Sequence, residues 1–233
     1  MNRLGSSYKN RVLASLPDAE IARLEPHLSL VSLSQEVTLL NGVVTHGYFL
    51  EEGMASVVVV LEGGNTVEVG VVGFEGVVGI PILLGTGGTP GRTFMQIAGA
   101  GYRVNAKQLR DEFERPGELR HILQKYMQGY MVQTAQTAAC NRLHNIEERL
   151  ARWLLTCRDR TASDHLRLTQ EFLGQMLGAP RTTVTLAAGL LHRAGMIEYS
   201  RGTVTVKDGA ALEESACECY RIVRDEFRRL ALL

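Results

Sequence analysis

Glycine is confined to one stretch of this 233-residue chain: 15 of its 24 glycines fall between Gly42 and Gly101. Short valine-rich runs lie among them, at Glu36–Val44, Tyr48–Leu50, Ser56–Leu61, Thr66–Val72, Val77–Ile80 and Thr93–Ile97. β-Branched residues bounded by turn formers read as strands, and Gly63-Gly64-Asn65 between two of the runs reads as a hairpin turn. The fragments Gly53-Met54-Ala55, Gly73-Phe74-Glu75-Gly76 and Gly85-Thr86-Gly87-Gly88 are expected to supply positive φ at corners, a conformation that glycine adopts cheaply. Many short strands with tight turns close into a roll or sandwich. The predicted fold class is α+β, opening with a β-roll of the double-stranded β-helix or jelly-roll type.

After Arg103 the pattern becomes helical. Asn105–Leu109 starts a helix, Arg115-Pro116-Gly117 turns the chain, and a long helix follows from Glu118 to about Arg142 with no proline and one glycine. Along it Leu119, Leu123, Tyr126, Tyr130, Thr134, Thr137, Asn141 and His144 recur every three or four residues. That seam predicts packing both on the β-roll and on a twin helix, with Leu119, Leu123, Tyr126, Tyr130, Thr137 and Asn141 as the dimer interface. A third segment begins near Asn145, with Ile146, Arg149, Leu150, Trp153 and Leu154 on one stripe. The last segment, Asp208–Leu233, reads as an acidic helix. The predicted division is a β-roll over 1–115, a connecting helix over 116–144, and a helical domain with a C-terminal extension over 145–233.

The whole chain balances 25 Lys and Arg against 25 Asp and Glu. Taken alone, zero net charge argues against a nucleic-acid partner. The charge is unevenly placed, however: residues 1–141 carry −2, residues 142–207 carry +4, and residues 208–233 carry −2. No apolar stretch approaches a bilayer span, and Arg3, Lys9 and Arg11 break the N-terminus where a secretory signal needs an apolar core. The chain reads as cytoplasmic, with no membrane partner.

Within the basic segment stands Leu168-Thr169-Gln170-Glu171-Phe172-Leu173-Gly174-Gln175-Met176-Leu177-Gly178-Ala179-Pro180-Arg181-Thr182-Thr183-Val184-Thr185-Leu186. Thr169 suits an N-cap, Phe172, Leu173, Met176 and Leu177 form an inner face, and Gly178 ends the helix. Pro180 opens a second helix, whose first turn has no need of its N–H. That helix buries Val184, Ala187, Ala188 and Leu191 and presents Arg181, Thr182 and Thr185 outward at its N-terminal end. Two helices across a short glycine turn form a helix-turn-helix, and Met196–Tyr199 with Thr203–Val206 adds a hairpin wing whose Arg201 can reach phosphate. The reading is a DNA-binding unit; the alternative is a winged helix that contacts protein.

Together these features resemble the Crp/Fnr family of bacterial transcription regulators, and the resemblance covers nearly the whole chain. It implies a cyclic-nucleotide-binding-like sensor, a parallel dimer seam and a pair of recognition helices on palindromic double-stranded DNA. RNA polymerase is the further partner it implies for an activator. Thr169 and Gln170 match phosphate contacts. Arg181, Thr182 and Leu186 stand where many members read bases with Arg, Glu and Arg; Arg181 keeps its capacity for guanine, and Leu186 suits a thymine methyl. In the sensor, Gly79 opens the stretch that matches the family's ribose-binding Gly-Glu-Leu segment, the pair Arg92-Thr93 matches the residues that hold cyclic phosphate, and Thr134 falls near the base-contacting position. The ribose-binding Glu is replaced by Ile80, which cannot accept a hydroxyl. The effector is therefore left open between a cyclic nucleotide, another small anion and none.

No cysteine precedes Cys140, which excludes the iron–sulfur chemistry of the oxygen-sensing branch. Cys217 and Cys219, two apart on an expected helix, would point in divergent directions and form a poor chelate, so no metal site is expected. No nucleophile–base pair is legible, and Gly85-Thr86-Gly87-Gly88 lacks the Lys-Ser/Thr of a phosphate loop. The chain does not read as an enzyme.

Overall fold

The computed structural model describes residues 8–233 apart from Asn65, Thr169 and Arg201, with the side chains of Gln170 and Glu171 also outside the description. Two compact units form. The first comprises the chain up to Val57, Val71–Met131 and Phe227–Leu233; the second comprises Val58–Gly70 and Val132–Glu226.

The first unit begins with α1 (Arg11–Ala14) and α2 (Asp18–Leu24), followed by strands β1 (Ser29–Leu33), β2 (Thr38–Val43), β3 (His46–Val60) and β4 (Thr66–Val72). Then come α3 (Ile80–Leu83), β5 (Gly88–Asn105), α4 (Ala106–Glu114) and the start of α5 (Glu118–Leu143). The strands join in the order β1-β5-β3-β4, with β2 also on β5. Both β1 and β2 pair antiparallel with β5, at its two ends: Ser29 faces Arg103, and Thr38 faces Phe94. One 18-residue strand thus organises the roll.

Several expected corners differ. Tyr48–Leu50 and Ser56–Val60 belong to one strand, β3, because Gly53 takes φ +80° within it and keeps the ladder running, and Leu61 lies just beyond its end. A Cβ on Gly53 would meet the Ile97 carbonyl oxygen at 2.5 Å, so glycine is required by close approach as well. Gly85 and Gly87 adopt positive φ as expected, whereas Gly73, Gly76 and Gly88 do not. Gly76 is needed for its missing side chain: a Cβ there would lie 1.9 Å from the Tyr126 ring. The Val77–Ile80 strand reduces to one bridge, Tyr48 to Val78, before α3 starts at Ile80 with Pro81 in its first turn.

Buried polar groups fix this unit. Asn10 is fully buried; its Nδ2 donates to the carbonyls of Leu50 and Gly76 at 3.1 and 2.9 Å, while its Oδ1 caps α1 by accepting from Val12 and Leu13. The Glu20 carboxylate accepts from the backbone N–H groups of Glu118 and Leu119 at 2.8 and 2.9 Å, capping α5 from another helix.

The expected dimer seam is corrected in its first half. Leu119, Leu123 and Tyr126 are 3%, 0% and 0% exposed, and Tyr126 packs edge-on against Phe227 at 6.5 Å, all within the first unit. Thr137 is buried in the second unit, and Tyr130 and Asn141 are half-buried. The exposed line on α5 is instead Gln124, Gln128, Met131, Ala135, Ala138 and Arg142, with alternating spacings of four and three. Of the two neighbours expected for this face, the β-roll unit covers Leu119, Leu123 and Tyr126, which leaves them no surface for a twin helix.

The second unit holds the β3–β4 tip, the remainder of α5, α6 (Ile146–Thr161), β6 (His165–Arg167), α7 (Gln170–Leu177), α8 (Arg181–Arg193), β7 (Ile197–Ser200), β8 (Thr203–Val206), α9 (Gly209–Ser215) and most of α10 (Cys219–Arg229). Asn145 and Glu148 start α6 with a reciprocal capping box. Buried Trp153 donates its Nε1–H to buried Glu68 on the tip at 2.7 Å. Strands run β6-β8-β7. The C-terminal segment forms two helices, broken where Ala216 turns extended at φ −82° and ψ 150°. Among the described residues no helix is long and apolar enough to cross a membrane.

Candidate nucleic-acid interface

α7 and α8 meet at a tight corner. Gly178 ends α7 with φ +58°, and the N–H groups of Gly178 and Ala179 return to the carbonyls of Gln175 and Gly174 at 3.2 and 3.0 Å. A Cβ on Gly174 would press on the Ala179 carbonyl oxygen at 3.0 Å, so its absence lets α7 lie against the turn. Pro180 opens α8 without a side-chain cap, which leaves the first-turn N–H groups to an outside acceptor. Phe172, Leu173, Met176 and Leu177 are buried on one helix, and Val184, Ala187, Ala188 and Leu191 on the other.

The opposite face of α8 presents Arg181, Thr182, Thr185, Leu186, Leu190 and Arg193. Leu186 is 71% exposed, and Leu190, one turn on, is 46% exposed, so this face carries an apolar strip beside Arg181. The Thr185 hydroxyl donates to the Arg181 carbonyl at 2.8 Å, so it offers an outside partner its lone pairs and methyl group. Thr169 and Arg201 lie outside the described residues; Gln170 begins α7, but its side chain is likewise outside them.

The wing forms where expected, with Ile197 facing Val206 and Ser200 facing Thr203. A third strand, β6, was missed. It pairs Arg167 with Thr203 and places that exposed arginine beside the wing turn. The available signal was the alternation His165-Leu166-Arg167 with only Leu166 buried, too short to distinguish from a loop.

In the first unit a cavity of about 210 Å³ opens between the roll and α5. Leu40, Val72, Val77, Val78, Ile80 and Pro81 give it apolar walls; Gly79, Thr89, Thr93 and Tyr130 also line it. Gly79 and Thr93 are thus brought together, and Arg92 is not. Neighbouring residues of a strand face opposite ways. Arg92 therefore points to the other side of β5, where its Nε donates to Thr38 Oγ1 at 3.1 Å and its guanidinium lies 4.8 Å from the Phe94 ring centre. Thr134 belongs to the second unit and is half-buried there.

Four side chains able to ligate a metal converge in the second unit: Cys140, His144, Cys217 and Cys219. The expectation of divergent thiols assumed a continuous helix, and the break at residues 216–218 removes that assumption. A hydrogen bond with Cys217 draws the Cys140 thiol down to about 5, and the same bond, with burial, pushes Cys217 up.

Comparison with known proteins agrees with this geometry. Residues 148–215 match the model of the Crp-like helix-turn-helix domain. The structure is similar to FixK2 from Bradyrhizobium japonicum, at 15% identity and a TM-score of 0.67, over 82% of this chain and 98% of that one. It is similar to TTHA1359, a transcriptional regulator of the CRP/FNR family from Thermus thermophilus, at 21% identity and a TM-score of 0.66, over 81% and 98%. It is also similar to CLP, the c-di-GMP responsive global regulator of Xanthomonas campestris, at 14% identity and a TM-score of 0.65, over 82% and 99%. No curated protein matches the sequence. The chain is of the winged helix-turn-helix class. More narrowly, it carries a Crp-like helix-turn-helix domain on the Crp/Fnr fold.

Proposed function

We propose that the chain is a homodimeric, sequence-specific DNA-binding transcription regulator of the Crp/Fnr type. The observation that carries this reading is the outer face of α8, where Arg181, Thr182, Thr185 and Leu186 stand exposed on a helix packed by its other side. A recognition helix needs such a face at its N-terminal end. Arg181 reads guanine by a bidentate contact, Leu186 meets a thymine methyl, and Thr182 and Thr185 complete the base-facing surface. Thr169, Gln170 and Arg201 contact phosphate, joined by Arg167, and these contacts position without specifying.

In this reading residues 1–115 sense, 116–144 connect, and 145–233 bind DNA. Two copies join along Gln124, Gln128, Met131, Ala135, Ala138 and Arg142, whose spacing matches a coiled-coil seam and whose alanines allow close approach. Half-sites then lie about one helical turn apart. The lining of the cavity favours a small, largely uncharged effector held by Thr89, Thr93 and Tyr130 over an anion held by Arg92. Tyr130 belongs to α5, so an occupant bears directly on the helix that carries the seam. RNA polymerase is the second partner if the output is activation.

Selection of bound duplexes from random DNA tests the reading. A palindromic site whose affinity falls steeply with salt supports it. Binding that ignores both sequence and salt refutes it.

A further inference from the structure

The four side chains gathered at the end of α5 and the break between α9 and α10 have no part in DNA recognition. Cys140 lies in the last turn of α5 and His144 just past its end, where its N–H still bonds to the Cys140 carbonyl at 3.2 Å, so both face the same way. Cys217 lies in the break, and Cys219 starts α10. The three thiols are buried, and none is in a disulfide. The three sulfurs and a ring nitrogen all lie within 4.8 Å of one another. Cys140 Sγ is 3.5 Å from Cys217 Sγ, and Cys219 Sγ is 3.7 Å from His144 Nδ1. A tetrahedral ion with zinc–sulfur bonds of about 2.3 Å and zinc–nitrogen bonds of about 2.0 Å sets its donors roughly 3.5 to 3.8 Å apart.

The surroundings point the same way independently. His144 turns Nδ1 to the thiols and Nε2 to Glu218, whose Oε2 is 3.2 Å away. A metal-bound histidine characteristically holds a carboxylate on its second ring nitrogen, which fixes its tautomer and orientation. Arg152 is buried, and its Nε has no hydrogen-bond partner among the described residues, yet its charge acts on Cys140. Three thiolates and a neutral imidazole around a divalent cation carry one net negative charge, which such a guanidinium balances.

We propose that Cys140, His144, Cys217 and Cys219 form a structural zinc site that clasps the α9–α10 corner to the end of α5. Binding displaces to solvent the protons that the thiols still carry and changes no oxidation state. All four positions around the ion are filled by protein, the arrangement of a closed structural site with no place for substrate. Softness selects zinc over magnesium or calcium, which take oxygen donors.

The test is reconstitution of the reduced full-length chain under anaerobic conditions with Zn²⁺, then with Co²⁺ as a spectroscopic probe, followed by elemental analysis after desalting. The proposal expects one ion per chain, and intense sulfur-to-cobalt charge-transfer bands with tetrahedral d–d bands. Cys219→Ser should lose the stoichiometric ion, whereas Cys157→Ser, which changes a buried cysteine outside the group, should keep it. Glu218→Gln should keep the ion with affinity weakened about tenfold. Where Cys219→Ser fails to fold, the cobalt spectrum of the unaltered chain decides. A reduced chain that takes up no stoichiometric zinc, a weak octahedral cobalt spectrum, or undiminished zinc in folded Cys219→Ser would overturn the site.

Discussion

The α7–α8 corner and the β-roll cavity are built in opposite ways. At the corner, the groups proposed to meet DNA project outward from a packed helix, and residues within 25 positions define the whole arrangement. In the roll, the cavity takes Leu40, Val57, Val72, Ile80, Thr93 and Tyr130 from six separate elements, and its shape depends on strand pairing across the unit. A function placed on an outward face can change its residues with little effect on folding. A cavity within the core couples its chemistry to stability.

Substitutions can break or sharpen that contrast. The largest effect is expected from Trp153→Ala, which removes a buried indole and its hydrogen bond to Glu68 from the core of the second unit. A loss of about 3 to 5 kcal/mol is expected in chemical denaturation. A change within experimental error would mean that the tip of the β3–β4 hairpin contributes nothing to the second unit. Gly76→Ala drives a methyl into the Tyr126 ring and should cost about 1 to 3 kcal/mol of stability. Its folded fraction should bind DNA as before.

Ala135→Glu sets charge on the proposed seam of α5. Sedimentation should show monomers and DNA binding should fall sharply, while the circular dichroism of the chain stays unchanged. A dimer that persists would move the seam elsewhere. The smallest effect concerns alkaline pH. Burial, and then the Asp159 charge, raise the Tyr220 phenol to about 12 from an ordinary 10.0, with its O–H donating to Asp159 at 2.8 Å. The neutral phenol is favoured in the fold, so this stabilisation is complete below pH 10 and is lost as pH rises through about 12. Tyr220→Phe should flatten the decline of the denaturation midpoint across that window. An unchanged slope would assign the alkaline loss to other groups.

The contrast also explains what could be read from the sequence. The corner was legible because its glycine turn, proline start and apolar spacing are local: Gly178, Pro180 and the buried sides of both helices lie where that chemistry places them. The roll was legible as a class and less so in detail. Positive φ at Gly53 continues a strand, and Gly76 is required by a tyrosine 50 positions away, a fact no local pattern carries. Arg92 was misplaced for the same reason, because strand alternation assigns a face only once Thr93 is known to line the cavity. The metal-type cluster was hidden by a break at Ala216 in a segment whose spacing reads as one helix. Its four members span 80 positions of sequence and meet only in the fold.

The central claim rests on the outer face of α8. The most direct measurement is the affinity of the intact chain and of Arg181→Ala for a selected duplex and for its single-base variants, at several salt concentrations. The account predicts that Arg181→Ala loses about 1 to 3 kcal/mol of binding and relaxes selectivity at one base pair, with an unchanged melting temperature. Equal affinity and equal selectivity for the two proteins would contradict it.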